Sequence, residues 1–219
     1  MMQPPVMQPP VMQPGVAQSA VAQPAAAKSL GAQSPAARPP ATPPAVSDAF
    51  LRAYPIVAGA EGGLTTDPAD PGNWTGGARG RGVCRGTQWG ISAAAYPTLD
   101  IVRLTLADAQ TLYRRDYWDR VHGDELPPAV ALLVFDAAVN NGVGRAVRWL
   151  QAAAGVAADG VLGAATLAAV HAMPALALLV EFQAQRMVFM AGLPTWRSFG
   201  LGWARRLCRL AFDAAVMEG

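Results

Sequence analysis

Apolar residues recur at the three- and four-residue spacing of an α-helix through most of the chain after Ser47, and one long polar stretch interrupts them. The first series runs from Phe50 to Val57 and follows a Ser-Asp pair, which is typical of a helix N-terminus. Pro55 lies inside this series and is expected to kink the helix or to move its start to about Ala53. The pattern therefore predicts a first helix that ends at Gly59.

The polar stretch covers residues 62–90, where glycine, proline, threonine and asparagine dominate. This composition indicates a long loop that contains a short β-hairpin. Loops of such length are uncommon in compact domains, and those that occur are usually functional. The loop is therefore the first candidate for a functional site.

The pattern after residue 90 is helical nearly to the C-terminus. The predicted helices cover 105–120, 127–140, 145–154, a short stretch after Asp159, 174–192 and an amphipathic stretch from about Leu201. The first of these begins with the spacing of a capping box, from Thr105 to Asp108, and the second begins with two prolines. The predicted fold class is mainly α, with a long loop or small β-hairpin after the first helix.

Residues 1–46 differ from the rest of the chain in composition. They consist of the pentapeptides MQPPV, MQPPV, MQPGV, AQSAV and AQPAA, followed by looser copies, and they contain no acidic residue. Repeats rich in proline, glutamine and alanine cannot bury a core and favour an extended chain. We expect a disordered tether, which is either a spacer that projects the rest of the protein or an unselected low-complexity tail. Residues 47–219 are long enough for one compact domain and too short for a second full one.

The distribution of charge argues against one class of partner. All 15 acidic residues and 15 of the 17 basic residues follow residue 46, so this part of the chain is formally neutral. Nucleic-acid-binding domains normally carry a basic stripe with interleaved aromatic residues, and the sequence has none. Arg205, Arg206 and Arg209 cluster within a helical pattern, where a solvated face is expected. We therefore expect no nucleic-acid partner.

The sequence predicts no stable membrane insertion. Its longest apolar run, about residues 172–180, is interrupted by Pro174 and closed by Glu181. Glutamine and proline interrupt the N-terminus every few positions, unlike in a secretory signal, so export is expected to need another route.

The cysteines and histidines predict neither a disulfide framework nor a zinc site. Cys84 and Cys208 allow at most one disulfide and are expected to be free thiols. His122 and His171 are well separated and form no ligand-spaced cluster with the cysteines.

Glu61 has a suitable position for a general acid. The chain has only four glutamates, and Glu61 follows the first predicted helix directly, at the start of the long polar loop. A helix C-terminus disfavours a nearby negative charge, which raises the pKa of a carboxyl group there and keeps it able to donate a proton. Hydrolysis of a glycosidic bond commonly uses a second carboxylate, and Asp67 and Asp70 follow in the loop. The two aspartates are equally consistent with ordinary Asx turns.

Five ordered segments carry a family resemblance: EGGLTTDPADPGNWTGG, GTQWGIS, YRRDYWD, FDAAVNNG and LQAAAGVAADGVLGAATLAAV. Over about residues 48–219 they resemble the N-acetylmuramidases of glycoside hydrolase family 108, the secretion-activator-type lysozymes of bacteria and phages. The resemblance implies a lysozyme-like α fold and cleavage of the sugar backbone of peptidoglycan. It also implies a catalytic region at 47–142 and, packed on the same domain, a helical region at 143–219 that is similar to peptidoglycan-binding repeats.

The resemblance assigns catalytic roles to three residues. Glu61 matches the catalytic acid of the E-G-G motif. Phage-type lysozymes place an aspartate nine residues after the glutamate, which implies Asp70, and the T-x-x-G-I element implies Thr87 for holding the attacking water, with Thr75 as a competitor. Neither a metal nor an organic cofactor is needed for this chemistry.

The predicted substrate-binding residues belong to the same motifs: Asp67, Asn73, Trp74, Tyr117, Trp118, Asn140 and Asn141. Aromatic rings can stack on sugars, although Tyr117 and Trp118 have the helical spacing of core residues. Paired amides suit N-acetyl and hydroxyl groups, although asparagine at a helix end is also a normal cap. Asp136 lies among apolar residues and is expected to be a buried, paired carboxylate.

The predicted function is that of a monomeric muramidase that cleaves the β-1,4 bond after N-acetylmuramic acid in peptidoglycan glycan strands. A tether without a signal sequence suits a phage endolysin, made in the cytoplasm and released to the cell wall by a holin, or a virion-borne enzyme. Three alternatives remain. They are a chitinase, an amidase or peptidase that uses Cys84 with His122, and a wall-binding or virion structural module without turnover.

Overall fold

The computed structural model describes residues 47–59 and 63–217 of the chain. The predicted tether at 1–46 and the segment that holds Glu61 lie outside these residues. The described part is mainly helical, as predicted, with one two-stranded sheet. Its helices are α1 Asp48–Ala58, α2 Leu106–Tyr113, α3 Pro128–Asn141, α4 Val143–Ala153, α5 Ala164–Ala172, α6 Ala175–Ala191 and α7 Trp196–Met217. Its strands are β1 Thr87–Gln88 and β2 Ile91–Ser92.

Helix α1 begins where its capping residue predicts. The Ser47 side chain accepts a 3.3 Å hydrogen bond from the Phe50 backbone N–H, and the helix then continues through Pro55 to Ala58. The alternative start at about Ala53 is therefore wrong. Pro55 removes one backbone donor, but it lies on the exposed side of the helix, while the residues around it hold the other side in the core.

Helix α2 confirms the predicted capping box. Thr105 accepts from the Asp108 backbone N–H, and the Asp108 carboxylate accepts from the Thr105 N–H in return. The helical path then continues as a π turn at Arg114–Trp118 and a 3-10 turn at Asp119–Val121. It ends at His122, whose φ of 52° lies in the left-handed region.

Helix α3 is the centre of the fold. Its residues from Ala129 to Ala138 are all buried, and α1, α4, α6 and α7 pack around it. Between α1 and α3 lies an aromatic cluster in which the Phe50, Trp118 and Phe135 rings meet at centroid distances of 5.4–5.8 Å. An apolar helix without a polar face, as the sequence shows here, is stable only when it is enclosed in this way.

The helix boundaries differ from expectation mainly in the C-terminal part. Helix α7 begins at Trp196, five residues before the predicted start at Leu201. Glycines at 200 and 202 made this stretch a poor helix by propensity. Gly200 is nevertheless buried, and a Cβ there would lie 2.6 Å from the Trp196 ring, so packing against a tryptophan requires the glycine inside the helix.

A buried ion cluster joins three helices. Asp136 of α3 is fully buried and pairs with Arg186 of α6, at 2.7 Å, and with Arg206 of α7. Burial alone raises the pKa of Asp136, but the two guanidinium groups outweigh it and hold this pKa below its ordinary value. The prediction of a paired, buried carboxylate is confirmed. The expectation that Arg206 lies on a solvated face is wrong, because it faces Asp136.

In the described residues, no single helix is long and apolar enough to cross a membrane. Helices α5 and α6 together are long and apolar enough for a membrane span, but they are bent by 116° at the break between them.

Candidate active site

The tip of the β-hairpin closes on the end of α1, the helix that precedes Glu61 in the sequence. The Gly90 carbonyl at the tip accepts a 3.3 Å hydrogen bond from the Tyr113 hydroxyl. A Cβ on Gly90 would lie 3.7 Å from the carbonyl oxygen of Ala58, the last residue of α1. The hairpin, α1 and α2 therefore meet within three residues of Glu61 along the chain.

Glu61 itself lies outside the described residues, so its role as general acid stays a prediction. The chain on either side of it is described. Gly59 caps α1 with a φ of 85°, and Thr65 exchanges two backbone hydrogen bonds of 2.9 Å with Thr87. The end of α1 and the Thr65–Thr87 pairing thus bracket the glutamate in sequence.

Asp67 and Asp70 each form an Asx turn. The Asp67 carboxylate accepts from the Ala69 N–H at 2.8 Å, and the Asp70 carboxylate accepts from the Gly72 N–H at the same distance. Asp67 is exposed, whereas Asp70 is half-buried and begins a 3-10 turn at Pro71–Asn73. Only one oxygen of Asp70 is used this way, and among the described residues no donor reaches the other.

Asn73 connects the loop to the hairpin. Its side chain is fully buried, donates to the Asp67 carbonyl at 2.9 Å and accepts from the Thr87 hydroxyl at 2.7 Å. Its backbone carbonyl also accepts from the N–H groups of Arg85 and Gly86. Because the amide is enclosed and its two ends are occupied, we correct the expected sugar contact: Asn73 positions Thr87 and the Asp70 turn.

Thr87→Val is expected to lower the free energy of unfolding by about 1–3 kcal/mol, because it leaves the buried Asn73 side-chain oxygen without its donor. Thr87→Ser is the control, since it keeps the hydroxyl and costs about 0.8 kcal/mol for one buried methyl group. Urea unfolding followed by circular dichroism measures both values. Equal stability of the two variants would show that this hydrogen bond does not hold the loop.

Gly90→Ala is expected to lower the free energy of unfolding by more than the cost of placing an alanine at a positive φ. Gly90 has a φ of 77°, and its added Cβ would lie 2.5 Å from the Tyr113 hydroxyl. Gly80 provides a matched control, with a φ of 73° and nothing within 4 Å of an added Cβ. Gly80→Ala should cost about 1–2 kcal/mol, and Gly90→Ala about 1–3 kcal/mol more. Thermal unfolding compares them, and equal losses would mean that the tip does not press on Tyr113.

Trp74 remains at the surface of the loop. It is half-buried, its indole N–H donates to the Pro68 carbonyl at 3.0 Å, and its backbone pairs with Cys84. The residues between Trp74 and Cys84 form a smaller loop within the long one, closed by backbone hydrogen bonds. The predicted contact between Trp74 and a sugar stays a prediction.

The two predicted aromatic contacts in the π turn have different surroundings. Tyr117 is half-buried and lies 5.6 Å from the Tyr113 ring, which itself touches the hairpin tip. Trp118 is 1% exposed, and its indole N–H donates to Asp124 at 2.8 Å. Its ring meets Phe50 and Phe135 edge to face, which leaves no face for a sugar. We therefore assign Trp118 to the core and correct the expected substrate contact.

Asn140 and Asn141 brace the buried ion cluster. The Asn140 amide donates to the Asp136 backbone carbonyl at 2.8 Å and to its carboxylate at 3.2 Å. The Asn141 side-chain oxygen accepts from Arg186 at 2.9 Å. Both residues are half-buried, so these bonds orient the end of α3, and their predicted sugar contacts remain untested.

Arg206 links the ion cluster to the end of α1, a contact that the spacing of the residues in the sequence did not indicate. Its guanidinium group donates to the Val57 carbonyl at 3.3 Å as well as to Asp136. Val57 belongs to the last turn of α1, whose carbonyl groups have no partners within the helix. A helix near the C-terminus therefore stabilises the element that precedes Glu61.

Tyr54 is a second residue that sequence analysis did not single out for the site, because its helical spacing is that of a core residue. Its ring lies 5.4 Å from the Tyr113 ring, and burial raises the pKa of its hydroxyl to about 12. Within 47–59 and 63–217 this buried hydroxyl has no hydrogen-bond partner. It is a neutral donor on α1, on the same element that leads into Glu61.

Cys84 and His122 do not form a catalytic pair in the described part of the chain. The Cys84 sulfur lies 3.7 Å from the Thr66 carbonyl, and the His122 ring bonds to Glu125 at 2.7 Å. Both cysteines are free thiols, as predicted. The described residues contain no group of three or more His, Cys, Asp or Glu side chains that could hold a metal ion.

Comparisons with known proteins identify the family. The family model described as glycosyl hydrolase 108 matches residues 54–142. A solved structure of SagA from Brucella abortus is 36% identical to this chain, and the match covers 77% of this chain and 95% of SagA with a TM-score of 0.64. The chain belongs to glycosyl hydrolase family 108. No curated protein is significantly similar to it.

Membership of glycosyl hydrolase family 108 confirms the resemblance found in the motifs. The matched range begins inside α1 and ends at Gly142, the residue that caps α3, and it contains all ten predicted site residues. The match therefore coincides with the part of this hydrolase built around the hairpin and the end of α1. The predicted peptidoglycan-binding region at 143–219 lies outside the match to the family model and stays a prediction.

Proposed function

We propose that this family 108 glycosyl hydrolase is an N-acetylmuramidase that cleaves the β-1,4 bond between N-acetylmuramic acid and N-acetylglucosamine in peptidoglycan. One observation carries the proposal. The Asp70 turn, Asn73 and Thr87 form one hydrogen-bonded unit, and the hairpin that follows it closes on the end of α1, just before Glu61. This arrangement supports a site in which a proton donor and a second carboxylate come from opposite sides of one cleft.

Glu61 is the proposed general acid, which protonates the oxygen of the departing sugar. Asp70 is proposed to stabilise the positive charge that develops on the sugar or to orient the attacking water. The carboxylate oxygen outside the Asx turn is suited to this role, because no donor among the described residues occupies it. The Thr87 hydroxyl donates its proton to Asn73, so its oxygen can accept a hydrogen bond from that water.

Trp74, Tyr117, Asn140 and Asn141 are the proposed substrate contacts, because all four are partly exposed. Asp67 is exposed in the same loop and is proposed to bind a sugar hydroxyl with the carboxylate oxygen that its Asx turn leaves unused. Residues 47–142 are proposed as the catalytic region and 143–219 as a helical region that contacts the glycan. We further propose that the protein acts on the cell wall as an endolysin or virion-borne enzyme, with residues 1–46 as its tether.

Mass spectrometry of the products of purified peptidoglycan tests the proposal, with borohydride reduction to mark the new reducing ends. A muramidase yields muropeptides that end in reduced N-acetylmuramic acid, and Cys84→Ser should yield the same products at the same rate. Reduced N-acetylglucosamine ends would instead indicate a hydrolase of the other glycosidic bond. Free peptides that disappear in Cys84→Ser would indicate the amidase, and an absence of products would favour the binding module.

A further inference from the structure

Helices α6 and α7 expose large apolar side chains on either side of a groove, and the proposed function does not use them. Four large side chains on it are more than half exposed: Leu176 at 73%, Val180 at 57%, Phe212 at 76% and Val216 at 80%. Single exposed apolar residues are normal, but a contiguous patch usually marks an interaction site. We call the surface formed by Leu176, Val180, Ala184 and Met187 of α6 with Cys208, Phe212 and Val216 of α7 the α6–α7 face.

The residues of the α6–α7 face follow helical spacing on both helices. Those of α6 recur every three or four positions and form one stripe, and so do those of α7. Between the stripes lies a groove of about 570 Å³, lined by aliphatic side chains and Cys208, with Gln183 as its one polar lining residue. The surface therefore resembles one half of a helix bundle whose other half is absent.

A hydrogen bond sets the relative level of the two antiparallel helices. The Gln183 amide of α6 donates to the Leu207 carbonyl of α7 at 3.1 Å, so these two positions lie side by side. Counting from them in opposite directions places Val180 near the level of Phe212, and Leu176 near Val216. It also places Glu181 of α6 near the level of Arg209 of α7.

The charges at the edges of the α6–α7 face are of opposite sign on the two helices. Glu181 is exposed and lies beside the α6 stripe, whereas Arg205 and Arg209 are exposed and lie beside the α7 stripe. Their helical positions put both kinds of charge on the outer edge, away from the groove. The face therefore carries Glu181 along its α6 edge and two arginines along its α7 edge, where Asp213 follows Arg209 by one helical turn.

We propose that the α6–α7 face binds a second copy of this chain about a two-fold axis that runs parallel to the two helices. This rotation places α6 of one copy against α7 of the other. It does not change the position of any residue along the direction of the axis. Val180 and Leu176 then meet Phe212 and Val216 of the other copy, and Glu181 meets Arg209. The result is an antiparallel four-helix arrangement with an apolar centre and complementary edges.

Self-complementarity favours a second copy over other occupants. A two-fold contact requires that each surface carry both members of every pair, and the α6–α7 face carries both members of the charge pair and of the apolar pairs. An anionic lipid surface would match Arg205 and Arg209 but not Glu181. The N-terminal segment 1–26 is uncharged and would leave the charged edges without partners.

Light scattering coupled to gel filtration tests the proposal over a range of concentrations. The 219-residue chain should show twice its own mass of 22.8 kDa. Glu181→Arg and Arg209→Glu should each weaken the dimer by about tenfold or more, because each sets like charges against one another. The double variant restores opposite charges and should recover the dimer, while circular dichroism confirms that each variant is folded.

Cys208 supplies an independent probe that needs no added residue. It lines the groove near the proposed axis, so the two copies of Cys208 approach each other in the dimer, whereas Cys84 lies in the active-site loop. Mild oxidation should give a covalent dimer that persists in Cys84→Ser, is lost in Cys208→Ser and is reduced in Glu181→Arg.

The proposal would be overturned by a monomer at every concentration with no Cys208 cross-link, by a monomer that binds anionic vesicles through this face, or by a dimer that neither Glu181→Arg nor Arg209→Glu weakens. A monomer that becomes dimeric only after removal of residues 1–46 would assign the face to the N-terminal segment instead. None of these results bears on the muramidase proposal, because hydrolysis is measured separately.

Discussion

Glu61→Gln is expected to slow peptidoglycan hydrolysis by about two to four orders of magnitude, the usual contribution of a general acid. Glutamine keeps the size and polarity of the side chain but cannot donate a proton to the leaving sugar oxygen. Of the four glutamates, Glu61 follows an element that is held on two sides, by the hairpin tip at Ala58 and by Arg206 at Val57. The rate of release of soluble muropeptides measures the loss.

The matched control for this result is Glu125→Gln. Glu125 is exposed and pairs with His122 outside the candidate site, so the same chemical change there should leave the rate within about twofold. Thermal unfolding of both variants separates lost chemistry from lost folding. If Glu61→Gln keeps more than about a tenth of the wild-type rate, the general acid lies elsewhere.

Asp136→Asn is expected to lower the free energy of unfolding by about 3–5 kcal/mol, because it leaves the buried Arg186 without its counter-ion. Arg186 is enclosed within the fold, and burial already lowers its pKa, so water cannot compensate for the lost carboxylate. The variant should also loosen the contact of Arg206 with the end of α1 and reduce activity. Urea unfolding at neutral pH measures the stability change.

Asp119→Asn is the control for Asp136→Asn. Asp119 pairs with Arg114 at 3.3 Å, but its side chain is half exposed, so removal of its charge should cost less than about 1 kcal/mol. Similar losses of unfolding free energy in Asp119→Asn and Asp136→Asn would show that burial does not set the strength of the Asp136 ion pairs.

The pH dependence of Asp136→Asn follows from the direction of the pKa shift. The pKa of Asp136 is lowered in the folded protein, so its contribution to stability is fully present above the unfolded pKa of about 3.9. This contribution is lost as the pH falls through the folded-state pKa. The stability difference between wild type and Asp136→Asn should therefore be constant near neutrality and shrink in strong acid. A difference that grows on acidification would contradict the assignment.

Local signals account for the elements that the sequence predicted correctly. The Ser47 cap, the capping box at Thr105 and the prolines that open α3 each act within one helical turn. Such interactions need no distant partner, so residue spacing reveals them. The π turn at Arg114–Trp118 and the early start of α7 were missed, because packing overrides weak local propensity there.

The residues of the candidate site show the same contrast between positions indicated by sequence motifs and positions decided by packing. The resemblance to the family indicated Asp70, nine residues after Glu61, and its T-x-x-G-I element indicated Thr87. Residue type did not decide the burial of Asn73, because an asparagine serves equally well in a cleft or in a core, and the helical spacing of Trp118 allowed a core position beside the expected sugar contact. Their enclosure depends on Thr87 and Asp67 for Asn73, and on Phe50 and Phe135 for Trp118.

The sequence by itself determined a mainly helical domain of the glycosyl hydrolase 108 family, the long loop with its hairpin, and the order of the motifs along the chain. Only the tertiary structure decided which polar groups are enclosed and what they hold. Arg206 reaches Val57 across 149 positions of the chain, and Asp136 meets Arg186 and Arg206 from two other helices. Contacts of this kind arise from helix packing, which brings together residues whose spacing in the sequence carries no signal.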